Sequence, residues 1–272
     1  MKTQRLYIDG IALWSHALPG WALAQQALRG EPVAADPPAP RPNPALLAAN
    51  ERRRAPDAVL VALEVAAAAV AMAGQDAATL PSVFTSAHGD LGIVDALCST
   101  LATNPQLLSP TRFHHSVHNA ASGYWAMATG CRAASSAVSG FEASFAVGLL
   151  EAGTQAHTDG TPVLLVGFDT AARGALASVN RSRGLLGVAL VLTPQRSSAA
   201  SVFSLDWAFA AGTGALPPLA SAAAMALADN AMADALPLFE ALAHAEDTAL
   251  TLPLGPAGIL HLRTIPQPAG AA

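Results

Sequence analysis

Charged residues and cysteines are both scarce in this chain. Charged side chains make up 12% of its 272 residues against 52% hydrophobic ones, which excludes a disordered chain and allows one large core or two intimate halves. Its only cysteines are Cys98 and Cys131, too few for a disulfide scaffold, so a reducing, cytoplasmic setting is expected. A formal net charge of −5 and a pI near 5.8 leave no footprint for nucleic acid. Arg52, Arg53 and Arg54 form the one basic run, read as a solvated helix start. Long apolar runs are missing too. Residues 58–74 are interrupted by Glu64 and followed by Gln75 and Asp76, so they read as a buried helix and no membrane span is expected. No secretory signal is read either, because the chain goes straight into LYIDGIALW with Asp9 inside the apolar run.

Common catalytic spacings are absent as well. His88, His114, His115 and His118, with the two cysteines, suggest zinc or a cysteine–histidine pair, but no Cys-x-x-Cys or His-Glu-x-x-His occurs. No metal is therefore expected. Ser135, Ser136 and Ser139 do not form Gly-x-Ser-x-Gly. A nucleophile among Cys131 or these serines stays open.

What is present is a succession of short apolar runs and alanine-rich or amphipathic segments. Strands are predicted over residues 5–14, 81–86, 133–140, 161–167, 202–209, 248–254 and 258–265, with residues 181–192 approaching a further one. Helices are predicted over residues 20–29, 56–74, 93 to about 102, from Phe141 onward, 219–229 and 232–244, Pro237 kinking the last or delaying its start. Residues 31–44 hold six prolines and read as a stiff surface loop, and residues 193–200 read as a linker. Ile93, Leu97 and Leu101 share one helical stripe, and Phe141, Phe145 and Leu149 another.

The most informative stretch is residues 109–153. It reads as a loop, a short helix, a buried strand of small residues over 133–140, a tight turn and a second helix. Ser139 or Gly140 stands at the cap of that helix and Glu142 in its first turn. A strand–turn–helix of this kind exposes one side chain and points backbone N–H groups at a developing oxyanion. Here the turn is read as carrying Ala137. With Ser109-Pro110, Phe113, Ser116, Asn119, Gly123, Gly130 and then SSAVSG, the stretch resembles the N-terminal half of a β-ketoacyl-acyl-carrier-protein synthase. In that family the phrase before the second helix reads Thr-Ala-Cys-x-Ser-Gly, and the cysteine carries the growing acyl chain. Laid over residues 135–140, the cysteine falls on Ala137, and a methyl group cannot form a thioester. The family's two histidine phrases are missing from the second half, which is also shorter than in full-length members.

The resemblance covers residues 4 to 195 apart from the proline loop. It implies an α/β, thiolase-like layered α-β-α-β-α fold, with a ketosynthase-like half over 1–195, a shortened half over 201–265 and a tail over 266–272. It further implies a non-catalytic subunit similar to a chain length factor, without cofactor. Such a subunit pairs with an active β-ketoacyl-ACP synthase in polyketide or fatty-acid-type elongation, most similarly in aryl polyene assembly. On that resemblance Ile93, Leu97 and Leu101 form the wall that limits chain length. Phe113, His115, Ser116 and Asn119 of the loop, with Ala133, Ser135, Ser136 and Ser139 of the strand, meet the partner. An acyl carrier protein is met indirectly, docking on Arg52, Arg53 and Arg54 being the sharper reading of that run. The alternative is a stand-alone acyl-processing enzyme, a hydrolase or decarboxylase using Cys131 or a serine.

Overall fold

The computed structural model describes residues 3–33, 39–196, 201–256 and 258–268. The chain opens with β1 (Gln4–Ser15), α1 (Trp21–Leu28), α2 (Ala49–Arg54) and α3 (Asp57–Ala73). β2 (Ser82–Thr85), α4 (Leu91–Thr103), α5 (Pro110–Ser116) and α6 (Ala120–Thr129) follow. Then come β3 (Ser135–Val138), α7 (Ser144–Asp159), β4 (Val163–Thr170) and β5 (Leu185–Thr193). The last part contains β6 (Phe203–Ala211), α8 (Ala222–Met225), α9 (Leu236–His244), β7 (Thr248–Pro253) and β8 (Gly258–Pro266).

Among the described residues the strands form one eight-stranded sheet in the order β3-β2-β4-β5-β1-β6-β8-β7. β3, β2 and β4 run parallel through helical crossovers, and every other neighbour is antiparallel. β4 and β5 are continuous apolar runs because helices cover both faces of the sheet there. One face is packed by α3 and α6 and the other by α7, α1 and α9. The alanine-rich sequence of α3 lets it approach closely: a Cβ on Gly10 of β1 would lie 2.0 Å from the Ala69 carbonyl oxygen. Phe145 of α7 is fully buried against α9, and its truncation to alanine costs about 3–5 kcal/mol.

The α/β class and most predicted elements match. Several details differ for physical reasons. The segment expected as a buried strand over 133–140 is the four-residue β3 at the sheet edge, alternating exposed and half-buried. Its small side chains meet solvent on one side rather than a closely packed layer. Arg52, Arg53 and Arg54 stand in the last turn of α2, not at a helix start, where cations suit the negative helix end. The helix expected over 219–229 is reduced to α8, and Pro237 delays α9 to Leu236. Of the proline loop at 31–44, residues 34–38 lie outside the described residues, and the rest of it has no regular structure. Residues 197–200 of the expected linker and 269–272 of the expected tail also lie outside them. No helix among the described residues is long and apolar enough to cross a membrane.

Candidate functional site

The site is built where β3 gives way to α7. The ladder to β2 holds residues 135–138 extended, with Ala137 opposite Phe84, so the chain cannot turn until Ser139. The turn passes through Gly140, where a Cβ would lie 2.7 Å from Val147 Cγ2 and 2.9 Å from the Ala143 carbonyl oxygen. It then reaches Phe141, a bulky residue held at φ 54°. That left-handed conformation costs on the order of 1–2 kcal/mol, and two bonds of Ser144 brace it. Ser144 Oγ accepts from the Gly140 N–H at 3.1 Å and donates to the Phe141 carbonyl at 2.7 Å.

This corrects the expectation that the turn carries Ala137. Ala137 is an exposed strand residue, and the side chain displayed at the bend is that of Phe141. Phe141 also leaves the stripe it was expected to share with Phe145 and Leu149. A 3-10 turn over Phe141–Ala143 precedes α7, so the ring is exposed and meets His88 edge-on at 5.5 Å.

Beside Phe141 lies a cavity of about 360 Å³, lined by Ala87, His88, Asn180, Arg181 and Asp234 among others. Asp169, at the end of β4, anchors its upper loop. Its Oδ1 accepts from Ser86 Oγ at 2.7 Å and the His88 N–H at 3.2 Å, and its Oδ2 from the Ala87 N–H at 2.8 Å. Asn230 donates to the backbone carbonyls of Asp169 and Arg183, tying the segment before α9 to β4. Asp234 Oδ2 accepts from the N–H groups of Phe145 at 2.9 Å and Ala146 at 3.3 Å, which caps α7. Burial outweighs these donors and pushes both carboxyls up to about 7, the Asp169 charge adding to the effect on Asp234. Burial lowers the His88 pKa.

The other residues marked in the sequence fall into separate groups. On α4, Leu97 is buried, Ile93 half-buried and Leu101 exposed, so the stripe turns from the core to solvent along its length. On α5, Phe113 is exposed, while His115 is buried and shares a 2.8 Å hydrogen bond with Tyr124 Oη. Ser116 Oγ donates to the Phe113 carbonyl, and Asn119 is exposed at the start of α6. Along β3, Ser82 Oγ donates to Ser135 Oγ and Gln155 Nε2 to Ser136 Oγ. Ser139 Oγ donates to the Ala87 carbonyl, and Ala133 is half-buried before the strand. Cys131 precedes β3, with Sγ 3.5 Å from the Leu80 carbonyl. His118 is hydrogen-bonded to the Ser86 carbonyl, and no group of three metal-ligating side chains is found among the described residues.

Sequence reasoning did not single out Asp169 or Asp234 as site residues. An acid closing the apolar run of β4 was a usable signal for Asp169. Asp234 stands in an alanine-rich stretch with no such signal, because its partners lie about ninety positions earlier.

No curated protein matches this chain. Its fold is similar to a chain of the ketosynthase ApeO in complex with its chain length factor ApeC from Xenorhabdus doucetiae. The TM-score is 0.72 at 21% identity, covering 95% of this chain and 98% of that one. It is also similar to a chain of the ishigamide ketosynthase/chain length factor, with a TM-score of 0.67 at 17% identity over 96% and 99%. A third likeness is to a chain of AntDE:AntF, a type II polyketide carrier protein with its ketosynthase, with a TM-score of 0.71 at 9% identity over 98% and 100%. These likenesses identify the thiolase-like fold of ketosynthases. Residues 21–252 match the family described as the beta-ketoacyl synthase N-terminal domain, and the chain belongs to that family.

Proposed function

We propose that the chain is a non-catalytic subunit of the chain length factor kind. It pairs with an active β-ketoacyl-ACP synthase in polyketide or fatty-acid-type elongation, of the aryl polyene sort, and shapes the acyl tunnel. The observation that carries this reading is Phe141 at the strand-to-helix bend. A phenyl ring can neither attack an acyl group nor hold one. Ala137, the position marked by the sequence motif, has no nucleophile either, so both alignments of the motif lead to the same chemistry. Cys131 precedes β3, whereas the bend follows it.

Support for a partner comes from the exposed end of the sheet. Among the described residues β3 pairs only with β2, which leaves one row of its backbone groups open for another chain. Leu101, Leu107, Phe113, Val117 and Met127, all from 101–127, are exposed apolar side chains, as a surface covered in a complex requires. In this reading Leu97 and Ile93 form the inner part of the length-limiting wall, and Leu101 is covered only in the complex. The division into a ketosynthase-like half over 1–195 and a shortened half over 201–265 belongs to the same reading, as does indirect contact with an acyl carrier protein.

Co-expression with a ketosynthase tests it. The two chains should co-elute as a heterodimer, and elongation should need both. A thiol- or serine-directed acyl probe that labels Cys131 or a serine, with turnover by the chain alone, would establish the alternative acyl-processing enzyme instead.

A further inference from the structure

The N-terminus of α7 is the positive end of a 16-residue helix, a place that ordinarily receives an anion or a local capping side chain. Neither Ser139 nor Gly140 caps it. The acceptor for its first free N–H groups is Asp234, which reaches them from the second half of the chain. Asp234 is 5% exposed. Its Oδ1 has no hydrogen-bond partner among the described residues, and the residue lines the cavity beside Phe141 and His88. A cap that served the helix alone would not need an acid drawn from ninety residues away and left with one oxygen unsatisfied beside a cavity.

We infer that Asp234 closes the anion-binding end of α7 from inside the chain, holding the place that a carboxylate or oxyanion ligand would otherwise take. Because the carboxylate is tethered by the fold, any incoming anion competes with a very high effective concentration of it. The inference deepens the reading of a silent bend, on which its functional meaning rests. The N–H groups it satisfies follow the bend at Phe141 by four and five residues, so what it closes is the helix end behind the bend. Asp234 therefore keeps those two N–H groups from an anion that enters the cavity.

Chemical rescue of the full-length chain by formate tests this without any partner subunit, so its failure is distinct from failure of the heterodimer. At a pH where formate is ionised, Asp234→Ala should bind it at the vacated N–H groups. Its melting temperature should rise saturably by about 5 °C, with chloride at equal ionic strength as the control. Wild type and Asp234→Asn, which keep an oxygen on those groups, should not respond. No response from Asp234→Ala, or an equal response from wild type, overturns the inference. Should Asp234→Ala not fold, the Phe145 and Ala146 amide resonances of the wild-type chain decide. Resonances unmoved by formate support the closure, and resonances that shift overturn it.

Discussion

Raising the pH should strip the folded chain of stability that Asp169 supplies. Its carboxyl is fully buried, and burial raises its pKa from 3.8 to about 7 although Ser86 and the N–H groups of Ala87 and His88 pull the other way. The folded state thus holds the proton more tightly than the unfolded chain. This contribution is complete below 3.8 and is lost as the pH rises through about 7. Between about pH 5 and about pH 8 the loss amounts to about 2–3 kcal/mol. His88, His115 and His157, whose pKa values are lowered by burial, titrate with the opposite sign. Wild type alone is therefore a mixed readout. Asp169→Asn removes the titration, and with it the charge that raises the Asp234 pKa, while keeping one carbonyl oxygen for Ser86 Oγ and the His88 N–H, so the informative quantity is the stability of wild type minus that of the variant. Urea denaturation across this pH range should show that difference falling by about 2–3 kcal/mol. A difference that stays constant with pH would refute the reasoning.

Four further outcomes are expected. Gly10→Ala places a methyl group against the Ala69 carbonyl and should cost about 3 kcal/mol, read as a lower urea midpoint. Tyr124→Phe removes the partner of the buried His115 and should cost about 1 kcal/mol in thermal or chemical denaturation. Leu101→Trp, at an exposed position, should change the stability of the isolated chain by no more than about 0.5 kcal/mol. In the complex, Leu101→Trp and Leu97→Trp should both shorten the products, and product lengths unchanged by either would make α4 a purely structural helix.

Much of the fold was legible because period and punctuation agree with it. The apolar runs of β1, β4 and β5, the alanine-rich α3 ending at Gly74 with φ 64°, and the hairpin of β7 and β8 all carry local signals. The central turn was legible as a strand–turn–helix, and its location was displaced by four residues. The motif reads as a string, but where the chain bends depends on how far the ladder to β2 extends, and that is a long-range property. The burial of β3 was misjudged for a related reason. Small residues suit a closely packed strand and an exposed edge equally well, and only the sheet order separates them. The capping of α7 by Asp234 depends on a tertiary approach between distant segments, which no local spacing encodes.

The most direct measurement of the central claim is the intact mass of both subunits in the co-purified complex after exposure to an acyl donor. The account predicts an acyl adduct on the ketosynthase and an unchanged mass for this chain, with elongation lost when the chain is omitted. An adduct on this chain, or a synthase that works as well without it, would contradict the account.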